Sequence, residues 1–301
     1  MSTTNIRIKK NQSIDIKIVS ELLKLMKPRV MSLVIFTCAV GLLISPVTIP
    51  LKEAMLGILF VAMGAGAAGT LNMWYEADLD KLMSRTCLRP IPRGKINRNQ
   101  ALVFGILLSI TSVTSLYLFT NFLSAFLLFF TIFFYVFVYT VWLKRKTSQN
   151  IVIGGASGAL PPVIGWTIAT NSLSLEPLIL FLIIFLWTPS HFWALSLYKM
   201  EDYNNAKIPM LPLVSGIRIT KINIFVYSIL LFLITIIPYL IGFFGFVYFL
   251  SSILLGTYYV YLCYKLMITS EEEKYLSKKI FVYSILYLFL IFSIILLDKV
   301  I

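Results

Sequence analysis

Three oxygen-bearing side chains follow one another at helical spacing in the segment NMWYEADLD, residues 72–80. In a continuous helix Asn72, Glu76 and Asp80 form one row about 12 Å long, and Asp78 lies off that row. Like charges at this spacing destabilise a helix, and carboxylates near its C-terminus oppose its dipole, so we expect a bound positive partner. Amide and carboxylate oxygens suit Mg²⁺, which completes its shell with water and substrate phosphates.

A second acidic segment, YKMEDYNNAKIPMLP at 198–212, follows about 120 residues later. In both segments an apolar stretch ends in carboxylates, and basic residues and a turn with two prolines come next. The carboxylates of the second segment are Glu201 and Asp202. This repetition indicates an internal pseudo-repeat whose two half-sites face one cavity. Two carboxylate half-sites with basic loops predict a site for a metal-bridged diphosphate.

A purely structural role for the first segment is the alternative, because ion pairs also gather where helices leave a membrane. On that interpretation the carboxylates of residues 76–80 only pair with the basic residues that follow them, namely Lys81, Arg85 and Arg89. The repetition of the pattern in the second half of the chain favours the metal site over this alternative.

The elements that must position these residues are membrane-spanning helices. Of the 301 residues 59% are hydrophobic and the mean hydropathy is +0.89, which leaves too few polar residues to cover a soluble globule. The apolar runs are continuous rather than alternating, which favours helices over a β-barrel. We predict an all-α polytopic membrane protein, with an N-terminal segment 1–29 and one domain over 30–301. Its nine transmembrane helices are placed at 30–46, 53–73, 99–119, 122–142, 151–170, 176–197, 221–242, 245–264 and 280–297.

The basic residues predict the orientation, since lysine and arginine are retained on the cytoplasmic side of a membrane. Of the 26, 24 fall in the N-terminal segment and after spans two, four, six and eight, against Lys52 and Lys299 on the other side. We therefore expect a cytoplasmic N-terminus, an external C-terminus and cytoplasmic acidic segments. The first 28 residues lack the pattern of a cleavable signal peptide, so we expect a bacterial inner membrane. The mixed apolar and basic residues of the same segment predict an interfacial helix within residues 1–29.

Other chemistry is not indicated. The three cysteines, Cys38, Cys87 and Cys263, lack C-x-x-C spacing, and His191 is the only histidine. We therefore expect neither a disulfide framework nor a cysteine or histidine-rich metal site. The net charge of +13 is mostly a topology signal, and no nucleic-acid partner is expected.

Four separated motifs resemble those of the UbiA-type intramembrane prenyltransferases. They are LMKPRVMSLV near the N-terminus, NMWYEADLDKLMSRTCLRPIPRG from residue 72, YTVWLKRKTSQNIVIGGASGALPPVIGW at 139–166, and WTPSHFWALSLYKMEDYNNAKIPMLP at 187–212. The second resembles the family's N-x-x-x-D-x-x-x-D motif with Glu76 in place of the first aspartate. The other motifs narrow the resemblance to the heme O synthases, or protoheme IX farnesyltransferases. Where quinone-precursor enzymes carry a second D-x-x-x-D motif, this sequence has Tyr198 and Asp202.

The resemblance implies a UbiA-type bundle with a central cavity open to the cytoplasmic side. It also implies a reaction in which a vinyl group of heme b attacks farnesyl diphosphate and water adds a hydroxyl group, giving heme O and diphosphate. The implied partners are these two substrates, the lipid bilayer, and downstream heme-modifying or oxidase-assembly proteins.

Residue roles follow from the same resemblance. Mg²⁺ on Asn72, Glu76, Asp80 and Asp202 would neutralise charge on the leaving diphosphate. The residues expected to bind diphosphate oxygens or heme propionates are Arg85, Arg89, Lys144, Arg145, Lys146, Lys199 and Tyr198, with Arg85, Arg89 and Lys144 foremost. The stretches AMGAGAAGT and GGASGALPP could line a groove for the farnesyl tail, although small residues more often serve helix packing.

His191 has three interpretations: a ligand of heme iron, an acid or base, or a hydrogen-bonding residue of the bundle interior. Polar groups are costly inside a membrane, which favours a functional role.

Other functions of the whole protein also stay open. One is prenylation of an aromatic quinone precursor, another is a transporter or Mg²⁺ channel, and a third is a scaffold without catalysis. A transporter usually places polar residues near the membrane midplane, whereas these carboxylates lie at helix ends.

Overall fold

The computed structural model describes residues 17–269 and 273–300, and every regular element among them is helical. The α-helices are α1 (Lys17–Leu25), α2 (Pro28–Leu43), α3 (Leu51–Tyr75), α4 (Ala77–Asp80), α5 (Arg98–Phe119), α6 (Phe122–Phe133), α7 (Asn150–Ala159), α8 (Pro161–Thr170), α9 (Leu175–Tyr198), α10 (Met200–Asn205), α11 (Leu211–Val214), α12 (Ile217–Leu240), α13 (Phe246–Ile268) and α14 (Glu273–Val300). A π-helix, Phe134–Leu143, directly continues α6. The all-helical prediction is confirmed.

Eight helices of the described chain are long and apolar enough to cross a membrane, and the number rises to nine if α1 and α2 form one span. These two helices meet at a 57° bend. Within the predicted segment 1–29, residues 1–16 lie outside the described part of the chain. Each of the other predicted spans overlaps one helix or two consecutive helices. Their ends differ by a few residues, and α12, for example, begins at Ile217 and ends at Leu240 where the prediction is 221–242. The chain is thus a multi-pass membrane protein.

The two largest hydrophobic clusters of the bundle both include residues of α2 and α8. One joins α9 with α12, α13 and α14, and the other joins α2, α3, α6 and α8. In addition, α3 packs along α5 and α2 along α8. The helix α9 belongs to the first of these clusters, and the second acidic segment begins at its C-terminal end.

Two spans depart from regular α-helix. The fifth span is divided at Leu160, where α7 ends and the two prolines 161 and 162 open α8. Proline lacks the amide hydrogen that would continue the helical ladder. The fourth span changes from α to π winding after Phe133, and such insertions often occur at functional sites. Neither departure has a clear signal in hydropathy.

Two glycines bring helices closer together than any larger residue would allow, as the contacts of an added Cβ atom show. A Cβ atom on Gly165 would lie 1.9 Å from the carbonyl oxygen of Cys38, so α8 approaches α2 with no room for alanine. A Cβ atom on Gly154 would lie 2.2 Å from the ring of Tyr139. At Gly154 the glycine of the GGASGALPP stretch therefore brings the π-helix and α7 together, as the packing interpretation predicts.

Candidate active site

The first acidic row is buried at the end of α3. Asn72 is 2% exposed, Glu76 3% and Asp80 2%. The helix α3 ends at Tyr75, yet the amide of Glu76 still bonds the carbonyl of Asn72 at 2.9 Å, and that of Asp80 bonds the carbonyl of Glu76 at 2.9 Å. The row therefore keeps its helical spacing through the boundary between α3 and α4, as the sequence predicts.

Each of the two buried carboxylates has a cation beside it. The guanidinium of Arg89 donates to both carboxylate oxygens of Asp80, at 2.8 and 2.9 Å. The ammonium of Lys144, at the end of the π-helix, lies 2.5 Å from Oε1 of Glu76. That contact is an ion pair without hydrogen-bond geometry, so Glu76 Oε1 is a buried oxygen with no aligned donor. Two of the three foremost predicted basic residues thus lie at the row.

Asn72 is held by two side chains. Its amide oxygen accepts a hydrogen bond from Lys27 Nζ at 2.6 Å, and its amide nitrogen donates to Thr140 Oγ1 at 3.0 Å. Thr140 in turn donates to the carbonyl of Tyr135, five residues earlier, at 2.8 Å. The π winding therefore places Thr140 at Asn72 and, one residue past the end of the π-helix, Lys144 at Glu76.

Lys27 adopts a left-handed backbone conformation, with φ of 56° and ψ of 57°, directly before Pro28. A non-glycine residue in this region costs on the order of 1–3 kcal/mol and persists only when its surroundings enforce it. The resulting turn between α1 and α2 directs the lysine into the site, where it reaches Asn72. Backbone strain and a partly buried ammonium at one residue indicate a functional position.

Asp78 lies off the row, as predicted, and its side chain is 53% exposed. It forms a two-pronged pair with Arg145, at 2.9 and 3.0 Å. Partial burial opposes ionisation of Asp78, but the hydrogen bonds from Arg145 outweigh it and hold the pKa of this carboxyl below its usual value. Arg145 also lies over the ring of Tyr75, 5.1 Å from its centroid. Arg145 is not one of the partners that the structural alternative named, whereas Arg89, which pairs with Asp80, is.

The second acidic segment is joined to the first through Asp202. Its carboxylate accepts hydrogen bonds from Ser84, at 2.9 Å from the hydroxyl and 3.3 Å from the backbone amide. Glu201, the neighbouring carboxylate, is exposed. The structure therefore brings the two segments into contact, with Ser84 between Asp202 and the row.

Besides Arg145, four predicted substrate-binding residues of the described chain form no hydrogen bond or ion pair with the row, namely Tyr198, Lys199, Arg85 and Lys146. Lys199 and Lys278 lie over the ring of Tyr198, at 4.9 and 5.8 Å from its centroid. Arg85 is exposed and forms no ion pair within the described chain, and Lys146 is exposed as well. Their roles in substrate binding remain predictions.

The side-chain oxygen atoms of the row are of the chemical type that binds Mg²⁺. They are amide and carboxylate oxygens, the ligands that hard divalent cations prefer, and Glu76 Oε1 is buried without an aligned donor. In the described residues no three His, Cys, Asp or Glu side chains converge as a metal-binding group. The four predicted ligands are therefore not gathered around one point, because Asp202 is bonded to Ser84 rather than placed at the row.

A cavity of about 370 Å³ opens beside this site, between α4 and the segment 205–208. Arg145 lines it together with Leu79, Leu82 and Lys207. Lys207 has a left-handed backbone, with φ of 52°, in the turn before Pro209. The cavity thus lies at the contact between the two acidic segments, with an apolar wall and two basic residues.

The comparison with known families decides the identity of the fold. Residues 33–290 match the UbiA prenyltransferase family. The chain belongs to this family. A protoheme IX farnesyltransferase from Pelagibacter ubique is 64% identical over 284 residues, which cover 93% of both chains. One from Afipia carboxidovorans is 51% identical over 283 residues, covering 93% of this chain and 90% of that one.

Solved structures share the architecture at much lower identity. A structure that concerns digeranylgeranylglyceryl phosphate synthase has a TM-score of 0.78 at 18% identity, covering 94% of this chain and 99% of that chain. A UbiA homologue from Archaeoglobus fulgidus, bound to DMAPP and Mg²⁺, has a TM-score of 0.68 at 17% identity, covering 91% and 99%. The UbiA fold predicted from the four motifs is confirmed.

Sequence reasoning missed three members of the site: Lys27, Thr140 and Ser84. Lys27 stands in the motif LMKPRVMSLV, and that motif contributed to the resemblance without suggesting a role for the lysine. Thr140 reaches Asn72 only because the fourth span is π-helical, and Ser84 reaches Asp202 across 118 residues of sequence. All three stand in motifs that carried the resemblance, yet no motif indicated their contacts.

Proposed function

We propose that this protein transfers the farnesyl group of farnesyl diphosphate to a vinyl group of heme b, with addition of water, giving heme O and diphosphate. The observation that carries the proposal is the 64% identity to a protoheme IX farnesyltransferase over 93% of the chain, a span that includes most or all of both acidic segments. The buried acidic row with its three cations supports it independently, because a diphosphate leaving group needs this combination of charges.

Mg²⁺ would be held by Asn72, Glu76 and Asp80, with Asp202 approaching from the second segment. When bound, Mg²⁺ would neutralise the charge that develops on the leaving diphosphate. The chain itself supplies three cations at the row, from Arg89, Lys144 and Lys27. We expect these side chains to turn from the row toward phosphate oxygens when the diphosphate enters. Arginine can bind a phosphate with two parallel hydrogen bonds, whereas lysine acts as a point charge.

The apolar part of the reaction needs aromatic and aliphatic walls next to the row. Tyr139 meets this need, since it packs with Leu79 and Met83 in one hydrophobic cluster and has Lys144 over its ring at 5.7 Å. An aromatic face could shield an allylic cation, but Trp166 and Trp193 are only 4% and 1% exposed within the bundle core. Tyr139 is therefore the aromatic residue that we place against the reacting carbon.

The test of this function is the product formed by purified protein. With heme b, farnesyl diphosphate and Mg²⁺ we expect a farnesylated, hydroxylated heme, identified by its mass, and no prenylation of 4-hydroxybenzoate. Removing Mg²⁺ with a chelator should abolish the product, and adding it back should restore turnover. Prenylation of 4-hydroxybenzoate instead would keep the fold and the metal site but reject the heme substrate. Cation flux into proteoliposomes without any product would favour a channel or transporter.

For the membrane orientation we propose that the acidic segments face the cytoplasm of a bacterial cell. The supporting observation is the division of basic residues, 24 on the side of these segments and two on the other. A reporter fused after Ile301 should then be active outside the cytoplasm, and one inserted within 84–95 should be active inside. The opposite pair of results would reverse the orientation, and equal results for both would overturn the span count.

A further inference from the structure

His191 is held on three sides by neighbouring groups. Its imidazole stacks on Trp187 at 4.2 Å between centroids and on Phe281 at 4.8 Å, with interplanar angles of 17° and 27°. At its edge, Nδ1 lies 2.6 Å from Ser284 Oγ on α14. Both faces of the ring are therefore covered, and one of the two ring nitrogens is engaged.

The hydroxyl of Ser284 determines which nitrogen carries the proton. It donates its single hydrogen to the carbonyl of Phe281, at 2.7 Å, the usual bond of a serine within a helix. Its oxygen must then accept from Nδ1–H of the imidazole. This assignment rests on the bonding pattern rather than on observed hydrogens. It leaves Nε2 with a lone pair.

The alternative tautomer is less favourable at this position. The bond at Nδ1 is the only hydrogen bond of the ring in the described chain. A proton on Nε2 would therefore be a buried donor without an acceptor, which costs on the order of 1–3 kcal/mol. Ser284 itself is fully buried, so water cannot replace it at Nδ1. Burial and bonding together favour a neutral ring with Nε2 available.

The position of His191 relates this nitrogen to the proposed reaction. It lies seven residues before the end of α9 at Tyr198, about 10 Å along the helix. The next residue, Phe192, touches the ring edge-on at 5.0 Å and belongs to the cluster that contains Leu79 and Tyr139 at the acidic row. A flat ligand reaching the row from the bundle interior would thus pass close to His191, which is itself buried.

We infer that Ser284 is a positioning residue that holds His191 as the Nδ1–H tautomer, so that Nε2 binds the iron of the heme substrate. This inference rests on the proposed function for the identity of the ligand. Imidazole nitrogen is a common axial ligand of heme iron, and ligating histidines usually donate their other N–H to a fixed acceptor. Coordination by neutral imidazole releases no proton, and the bond donates the Nε2 lone pair to iron.

The first experiment uses the fact that the chain contains one histidine. Protein labelled with ¹⁵N-histidine should show a single pair of ring signals, with the proton on Nδ1 in the absence of substrate. In Ser284→Ala the hydrogen-bond acceptor is lost, and the signals should shift toward a mixture of tautomers. The matched control is Ser293→Ala, because Ser293 also bonds its own helix, through Phe289, but contacts no ring. A proton on Nε2 in the unsubstituted protein would overturn the inference.

The second experiment titrates heme b into the protein in lipid nanodiscs, with empty discs as the blank. We expect a Soret band typical of histidine ligation, lost in His191→Ala, and an affinity about tenfold lower in Ser284→Ala than in Ser293→Ala. An unchanged spectrum in His191→Ala would reject the iron ligand even if the enzyme makes heme O. Conversely, histidine-dependent binding without any farnesylated product would leave this inference standing and reject the proposed function.

Discussion

Glu76 and Asp80 in the first acidic segment have side chains that are 4% and 3% exposed, whereas Glu201 in the second segment is exposed and Asp202 is half-buried. The two segments share an order of features in sequence, yet their carboxylates are paired differently. In the first, Lys144 and Arg89 neutralise the carboxylates. In the second, Asp202 accepts hydrogen bonds from Ser84, a neutral partner.

This difference means that an unpaired carboxylate costs more free energy in the first segment than in the second. A buried carboxylate without its cation would be a desolvated charge, which costs several kcal/mol. The first segment therefore needs a cation at all times, whether a side chain or a metal. The second segment tolerates solvent, and its carboxylate is free to change partners. We interpret the first as the permanent charge centre and the second as a partly solvent-exposed carboxylate that contacts the loop after the first segment.

The largest effect is expected for Asp80→Asn, which keeps the shape of the side chain and removes its charge. Farnesyl transfer should fall by more than about 100-fold, because charge stabilisation of the leaving group is lost. The measurement is heme O formation at saturating Mg²⁺, with thermal unfolding in detergent to show that the variant is folded. Near-normal Mg²⁺-dependent turnover would mean that Asp80 is not a metal ligand.

A double-mutant cycle at the Glu76–Lys144 pair should give the next largest effect. Lys144→Gln leaves Glu76 buried without a cation and should lower the free energy of unfolding by about 3 kcal/mol. The double variant Glu76→Gln with Lys144→Gln should recover most of that loss, since no charge remains buried. Denaturant unfolding of the unsubstituted protein, Glu76→Gln, Lys144→Gln and the double variant completes the cycle. An equal loss in the single and the double variant would show that the pair is not coupled.

Asp202→Asn should have an intermediate effect, lowering turnover by about tenfold and raising the Mg²⁺ concentration needed for half-maximal rate. The second segment provides its own matched control in Glu201→Gln, because Glu201 is adjacent but exposed. That control should stay within about twofold of the unsubstituted enzyme, as surface substitutions usually do. If both variants lose activity equally, the second segment acts through its total charge and not through Asp202.

The smallest effect is expected for Asp78→Asn, with turnover within about threefold of the unsubstituted enzyme, since an exposed ion pair contributes little. Because Arg145 depresses the pKa of Asp78, this pair stabilises the fold above the unfolded pKa of about 3.9 and ceases to do so as pH falls through the lower folded value. Unfolding of both proteins between pH 7 and pH 3 tests the sign. A loss of turnover equal to that of Asp80→Asn would mean that the helix rearranges during the reaction.

Much of the site was predictable because helical spacing is a local property. Four-residue spacing placed Asn72, Glu76 and Asp80 on one row and Asp78 off it, and the structure confirms both predictions. The choice of Arg89 and Lys144 among many basic residues followed from the family resemblance and not from spacing. The same reasoning placed Arg85 beside them, but this residue is exposed and forms no ion pair in the part of the chain that the structure describes.

Composition and spacing by themselves determined that the chain is a helical membrane protein with its acid at helix ends and two related half-sites. These properties depend on hydropathy and on contacts within about four residues, so they do not require the fold. Tertiary structure alone decided that Lys27 bonds Asn72, that the π-helix brings Thr140 there, and that Ser84 joins Asp202. It also decided that Ser284 bonds His191 across 93 residues of sequence. Such pairs depend on how helices pack and where they bend, and no local pattern of side chains encodes those distances.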